Sequence, residues 1–227
     1  MLNALLQKLQ ELAGRRGATF DPAGLNDPVA LQTAWSPAKG GGANFRTHRL
    51  VTVDHSRLEF KATAGAVVFY LIFLLVGLGV MLGIPAARLV AGDSLGLTAD
   101  TLVPLLIGLL FALIGGVMLY FGTAPIVFDL RQGCFWKGRR QPAQVFDKQS
   151  MKNFAQLPDI HALQIISEYC SGKNSYYSYE LNLVLKDGQR LNVVDHGNLA
   201  RLREDANKLA QFLGRPLWDG LAGGATS

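Results

Sequence analysis

Four histidines, two cysteines and a scatter of hydroxyl and carboxylate side chains are what this 227-residue chain offers for chemistry. His48, His55, His161 and His196 form no His-x-x-x-His spacing, and Cys134 and Cys170 form no Cys-x-x-Cys pair, so no metal site or cofactor is expected. Asp54-His55-Ser56 contains the three residue types of a catalytic triad. Adjacent residues cannot place the base between nucleophile and orienter, so the run reads as a hairpin turn. Asp195-His196-Gly197 sits at a strand-to-helix junction, where a structural hydrogen bond is expected. A scattered active site would need His161, His196, Cys170 and the tyrosines Tyr176, Tyr177 and Tyr179 to converge in one pocket. The two cysteines lack the density of a disulfide framework and read as reduced thiols or small buried apolar residues. Ser171-Gly-Lys-Asn-Ser175 lacks the first glycine and the strand-to-helix setting of a phosphate loop. Gly40-Gly-Gly42 lacks the Lys-Ser/Thr that gives such loops their chemistry. The first is expected at a hairpin tip and the second in a flexible connector. The chain is therefore expected not to be an enzyme.

Charge points elsewhere. The net charge is +5 and the pI about 9.3. Lys137, Arg139 and Arg140 follow the second of two apolar blocks and are candidates for contact with lipid headgroups. Such contacts are worth about 1 kcal/mol per basic residue near an anionic surface. The basic residues have a sufficient explanation in membrane topology, and no nucleic-acid partner is expected.

The elements that must position these groups begin with those blocks. No charged residue lies between Ala62 and Ala87, and a second uncharged run covers Thr101–Phe128. Spans at 62–84 and 101–122 each carry thirteen Leu, Ile, Val or Phe residues. At about −0.3 to −0.6 kcal/mol apiece, insertion of either is favourable by very roughly 4–8 kcal/mol, and neither contains a central charge to offset it. A helix of about 22 residues rises about 33 Å, enough to cross a hydrocarbon core of about 30 Å. About sixty residues precede the first block, so it is not read as a signal peptide. Pro85 is expected to end the first helix. Asp100 is expected to cap the second, with Pro104 in its first turn.

Arg46, Arg49, Arg57 and Lys61 precede the hairpin, and Arg131, Lys137, Arg139 and Arg140 follow it. The connecting segment 85–100 offers Arg88 against Asp93 and Asp100. The positive-inside rule then predicts a multi-pass protein of a bacterial inner membrane, with a periplasmic loop at 85–100 and both termini cytoplasmic. Gly79 and Gly83, with Gly108, Ala112 and Gly116, supply small-residue faces for helix packing, within the hairpin or in a homo-oligomer. Neither span carries an ionisable group, which argues against transport.

Residues 1–44 read as an amphipathic helix, with Leu2, Leu5, Leu6, Leu9 and Leu12 on one face, followed by a loop-rich segment. Asp27-Pro28 is expected to open a short helix reaching about Trp35. Residues 45–61 alternate as a hairpin, Leu50–Val53 and Arg57–Lys61. Across 123–227 a second hairpin is expected at Ile126–Leu130 and Cys134–Lys137, with strands at Ala143–Asp147 and His161–Cys170. A last hairpin pairs Tyr179–Leu185 with Arg190–Val194. A helix should run from about Leu199 to Phe212, capped by Asn198 and Gly214. Its core-facing residues would be Leu199, Leu202, Ala206, Leu209, Ala210 and Leu213. The expected fold class is thus an α+β membrane protein: a transmembrane helical hairpin plus a β-rich cytoplasmic barrel or sandwich closed by a C-terminal helix.

The strand order, the Phe-Trp after the Asp129-to-Gly133 turn and the closing helix resemble the bacterial pleckstrin-homology-like domains that adjoin transmembrane hairpins, over 45–61 and 126–214. Such domains bind rather than catalyse, so the resemblance implies a protein partner or lipid. Through stretches such as Asn44-Phe-Arg-Thr-His48, the whole chain also resembles a type of proteobacterial two-helix inner-membrane protein, which implies no activity. The expectation is a membrane-anchored, non-enzymatic module whose cytoplasmic domain binds a protein or the bilayer surface. Two alternatives are an immunity protein neutralising a toxin at the inner membrane and a membrane-bound enzyme with the scattered site above.

Overall fold

Residues 20–38, 40–92, 96, 98–142, 151, 153–172 and 174–221 are described by the structure, a computed structural model. The predicted amphipathic helix of Leu2–Leu12 and the strand at Ala143–Asp147 lie outside those residues. The chain divides into two compact units, one formed by 1–44 with 158–227 and the other by 45–157.

In the 45–157 unit, β1 (His48–Asp54) and β2 (Arg57–Ala62) form the expected hairpin, turning at Asp54–Ser56. β3 (Ile126–Asp129), β4 (Cys134–Lys137) and β5 (Phe154–Gln156) complete an antiparallel sheet in the order β1-β2-β3-β4-β5. β2 and β3 pair directly, Phe60 opposite Ile126, although sixty-five residues separate them in sequence. The long helices α2 (Ala64–Ala91) and α3 (Ala99–Gly122) fill that interval. The helical hairpin thus takes the place of the turn in an ordinary β-hairpin. Sheet pairing continues across it because α2 rises from the end of β2 and α3 returns to the start of β3. One face of the sheet is apolar and buried through Leu58, Phe60, Ile126, Phe128 and Phe135. On the other face Val127, Cys134 and Trp136 pack with Met151 and Phe154, and Arg57 lies 5.4 Å over the Trp136 ring.

α2 and α3 are long and apolar enough to cross a membrane. Two boundaries differ from expectation. Pro85 does not end α2, which continues to Ala91 and stops at Gly92, whose φ of 77° is the left-handed geometry of a glycine cap. An interior proline removes one backbone bond but need not end a helix, whereas Gly92 satisfies the terminal carbonyls of Arg88 and Leu89. The N-cap of α3 is Thr98, not Asp100, which lies in the first turn. Pro104 therefore sits two residues deeper than predicted.

The first elements among the described residues of the other unit are a short 3₁₀ turn, Pro22–Leu25, and α1 (Pro28–Gln32). Asp27 caps α1 through its bond from the Val29 N–H at 2.9 Å. The helix is shorter than the sequence suggests because Thr33 is already extended. β6 (Ile160–Cys170), β7 (Tyr176–Leu185) and β8 (Arg190–His196) form an antiparallel meander, with β7–β8 close to the predicted hairpin. The apolar face of this sheet, with Leu163, Ile165, Leu181 and Leu183, is covered by α4 (Leu199–Leu213) through Leu202, Ala206 and Leu209. Asn198 caps α4 and Gly214 ends it, as read from sequence; Leu199 and Leu213 are only half-buried. β9 (Leu217–Asp219), which the sequence did not reveal, then joins β6 in parallel, and Arg203 ties it to α4 by a 2.6 Å bond to Asp219.

The molecule is α+β, with its nine described strands divided between two sheets, one in each unit.

Candidate functional site at the foot of the apolar hairpin

Two helix ends and two strand ends meet where the hairpin joins its sheet. Thr63 caps α2, its hydroxyl accepting from the Ala66 N–H at 3.2 Å and donating to the Arg46 carbonyl at 2.8 Å. The Arg46 guanidinium donates back to the His48 carbonyl at 3.1 Å. At the end of α3, Thr123 donates to the Leu119 carbonyl at 2.6 Å. Arg139 reaches the same turn, donating to the Tyr120 carbonyl at 3.1 Å and to the Thr123 hydroxyl at 2.8 Å. Its guanidinium also lies 5.0 Å over the Tyr120 ring. A cation at a helix C-terminus complements both the unpaired carbonyls and the negative end of the helix dipole.

His48 sits beside this group, 3.0 Å from the Thr47 hydroxyl. Burial, and after it the nearby Lys137 charge, push its ring down from 6.5 to about 4, against a backbone hydrogen bond to Gly122 that favours protonation. The ring is therefore neutral at pH 7. Above this polar collar lies an aromatic band. Phe45 packs 5.7 Å from Phe69, and Phe121 packs 5.0 Å from Tyr120; all four rings are exposed. Cations, then aromatic rings, then a charge-free shaft is the order of groups found across a water–lipid boundary.

Of the predicted headgroup contacts, Arg139 and Arg140 are exposed and Lys137 is half-buried. Arg139 has a structural duty the sequence did not disclose. Thr63, Tyr120 and Thr123 were not singled out either, and His48 was weighed only as a metal ligand. A threonine directly before an apolar run and an aromatic pair at its end were the available signals.

The small residues named from the sequence divide between the contact inside the hairpin and its outer faces. A Cβ at Gly77 would strike the backbone of Ala112 and Gly108, and one at Gly115 would strike Leu74. The close approach of α2 and α3 therefore runs through Gly77, Gly108, Ala112 and Gly115. Gly79, Gly83 and Gly116 face open space. The register is set by which side of each helix meets the other, and a small-xxx-small pair in sequence does not say which side that is.

The other sequence candidates are dispersed. His161 lies 2.7 Å from Asp27. Burial alone would raise the Asp27 carboxyl, but the bond to His161 and the N–H groups of Val29 and Ala30 hold it below its ordinary value. Cys170 is at the opposite end of β6, nine residues on and therefore about 30 Å away, beside Tyr176, whose phenol it pushes up by hydrogen bonding. His196 is buried where β8 meets α4 and accepts from the Asn198 N–H at 3.2 Å. These groups do not converge. Asp54 accepts from both the N–H and the hydroxyl of Ser56 at 2.7 Å, and His55 lies 3.4 Å from Arg131, so that run is a turn. Among the described residues no three His, Cys, Asp or Glu side chains gather as metal ligands would.

Gly40–Gly42 does bind an anion, but the anion belongs to the chain. The Glu168 carboxylate accepts from the Gly41 N–H at 2.9 Å and the Gly42 N–H at 3.2 Å. The triglycine is thus a fastened loop, not the expected flexible connector. No protein-family model matches the chain, and no curated protein matches it.

Proposed function

We propose that the chain is a membrane-anchored, non-enzymatic binding module. The α2–α3 hairpin crosses the bilayer, the collar of Arg46, His48, Lys137 and Arg139 lies at the headgroups of the cytoplasmic leaflet, and both β-rich units stand on that side. The observation that carries this reading is the exposure of the hairpin. Leu75, Leu82, Leu106, Leu110, Leu113 and Val117, on both helices, are each about half exposed or more. Burying such a side chain is worth about 1.5–3 kcal/mol, so a shaft of this length standing in water is strongly disfavoured. Lipid removes that cost without any protein cover. The several basic residues at the foot, against Arg88 alone in the segment 85–100, favour a cytoplasmic foot. The binding role is supported by the likeness to pleckstrin-homology-like domains and by the separation of His161 from Cys170 and Tyr176 at opposite ends of β6.

The test is extraction of native membranes with alkaline carbonate. The full-length chain is expected to stay in the pellet until detergent is added; release by carbonate alone would overturn the anchor.

A further inference from the structure

At the end of the β1–β5 sheet nearest the hairpin, positive charges face one another. Strand register sets Arg49 directly opposite Lys61 across β1 and β2. Partners in such a pair share a face, with Cβ atoms about 4.5–5.5 Å apart, and like charges there are destabilising. Arg49 is exposed and has no carboxylate partner among the described residues. Lys61 reaches Glu59 at 3.4 Å from a half-exposed position, and Glu59 is already held by Arg57 at 2.7 Å. Arg140, just beyond β4, is also exposed and without a carboxylate partner among the described residues. Towards the other end of the same sheet the charges are matched, Arg57 lying against both Glu59 and Asp129.

Membrane topology asks for cations near a span in any arrangement. Two cations facing each other across paired strands cost stability, and an anion between them removes that cost. The aromatic band fixes their depth independently. Phe45, Phe69, Tyr120 and Phe121 are exposed rings around the ends of α2 and α3, as aromatic residues are at a water–lipid boundary. Lys61 lies two residues before the cap Thr63, about 7 Å of strand. The headgroup layer on each side of the hydrocarbon is about 5–7 Å thick. Arg139, fastened to the last turn of α3, carries Arg140 to the same depth. β1 and β4 are three strand spacings apart, about 14 Å, which leaves room for more than one headgroup. A zwitterionic headgroup brings its own cation to a place that already holds two, so a net negative one fits better.

We infer that this end of the sheet is a binding site for anionic phospholipid, one headgroup phosphate lying between Arg49 and Lys61 and Arg140 holding a neighbouring headgroup. The inference names the ligand of the binding module proposed above and rests on its bilayer anchor.

The test uses full-length protein in neutral maltoside micelles. Tail-labelled phosphatidylglycerol or phosphatidylcholine is titrated in and read by energy transfer from the tryptophans. A basic residue beside an anionic surface is worth about fivefold in affinity. Wild type is expected to prefer phosphatidylglycerol by at least about tenfold, and Arg49→Gln/Lys61→Gln to prefer it by about twofold or less. Arg131→Gln/Arg201→Gln removes the same charge from exposed positions elsewhere and is expected to keep the wild-type preference. No preference in wild type, or equal preference in the two double variants, would overturn the site. So would displacement of the labelled lipid by inorganic phosphate at constant ionic strength, which would make a free anion the ligand. Should Arg49→Gln/Lys61→Gln fail to fold, Arg140→Gln alone is expected to lower the preference at least about threefold, and an unchanged preference would sink the proposal. Carbonate extraction reads the hairpin separately. A chain that stays in the pellet without preferring anionic lipid refutes the lipid site and leaves the anchor standing.

Discussion

At His48 burial and a neighbouring lysine outweigh a hydrogen bond that favours the charged ring. The folded ring titrates near 4, against 6.5 for an unperturbed histidine. Between those values the unfolded chain takes up a proton that the folded chain refuses, so stability falls as pH drops from 6.5 towards 4. At about 1.4 kcal/mol per pH unit the accumulated loss is about 3 kcal/mol. His48→Gln is expected to flatten this acid-side slope relative to wild type, measured as thermal unfolding in mild detergent between pH 7 and pH 4.5. Parallel slopes for the two proteins would contradict the assignment. Arg139 carries the same lesson in different chemistry: a residue chosen for its charge near a membrane is also the cap of a helix.

Among the elements, the α2–α3 hairpin depends on close backbone contact at a few glycines. Two helices in lipid gain little from hydrophobicity and associate through packing, which needs small residues on the facing sides. Gly77→Val and Gly115→Val each force a side chain into the opposite backbone and are expected to cost about 1–3 kcal/mol. Gly79→Val and Gly116→Val point into open space and are expected to change stability by less than about 0.5 kcal/mol. SDS-titration unfolding of the four purified variants reads the difference. Equal destabilisation at all four positions would mean the helices meet on other faces.

For the whole molecule, the insertion of a helical hairpin between two paired strands has a topological consequence. β2 and β3 lie side by side, so both ends of the hairpin must lie on the same side of any membrane it crosses, and the connection between α2 and α3 lies on the other. Gly96→Cys, in a background with Cys134 and Cys170 replaced by alanine, is expected to react with a membrane-impermeant maleimide in intact cells. Ser36→Cys in the same background is expected to react only after permeabilisation. The reverse pattern would invert the proposed orientation.

Long charge-free runs, the capping residues Asp27, Asn198 and Gly214 and the turn at Lys186–Gln189 act over a few neighbouring residues. That is why the two apolar helices, the β1–β2 and β7–β8 hairpins and α4 were legible in the amino-acid order. Helix ends were less so, because Pro85 and Gly92 compete as stop signals and only the carbonyls actually satisfied decide between them. What tertiary structure alone decided depends on partners distant in sequence. Which glycines separate α2 from α3, the pairing of β2 with β3 across the hairpin, and the return of β9 to β6 are of this kind. So are the use of Arg139 as a helix cap and the fastening of Gly41 and Gly42 to Glu168. A backbone amide or a guanidinium carries no sign, in its own stretch of sequence, of the acceptor that folding will bring to it.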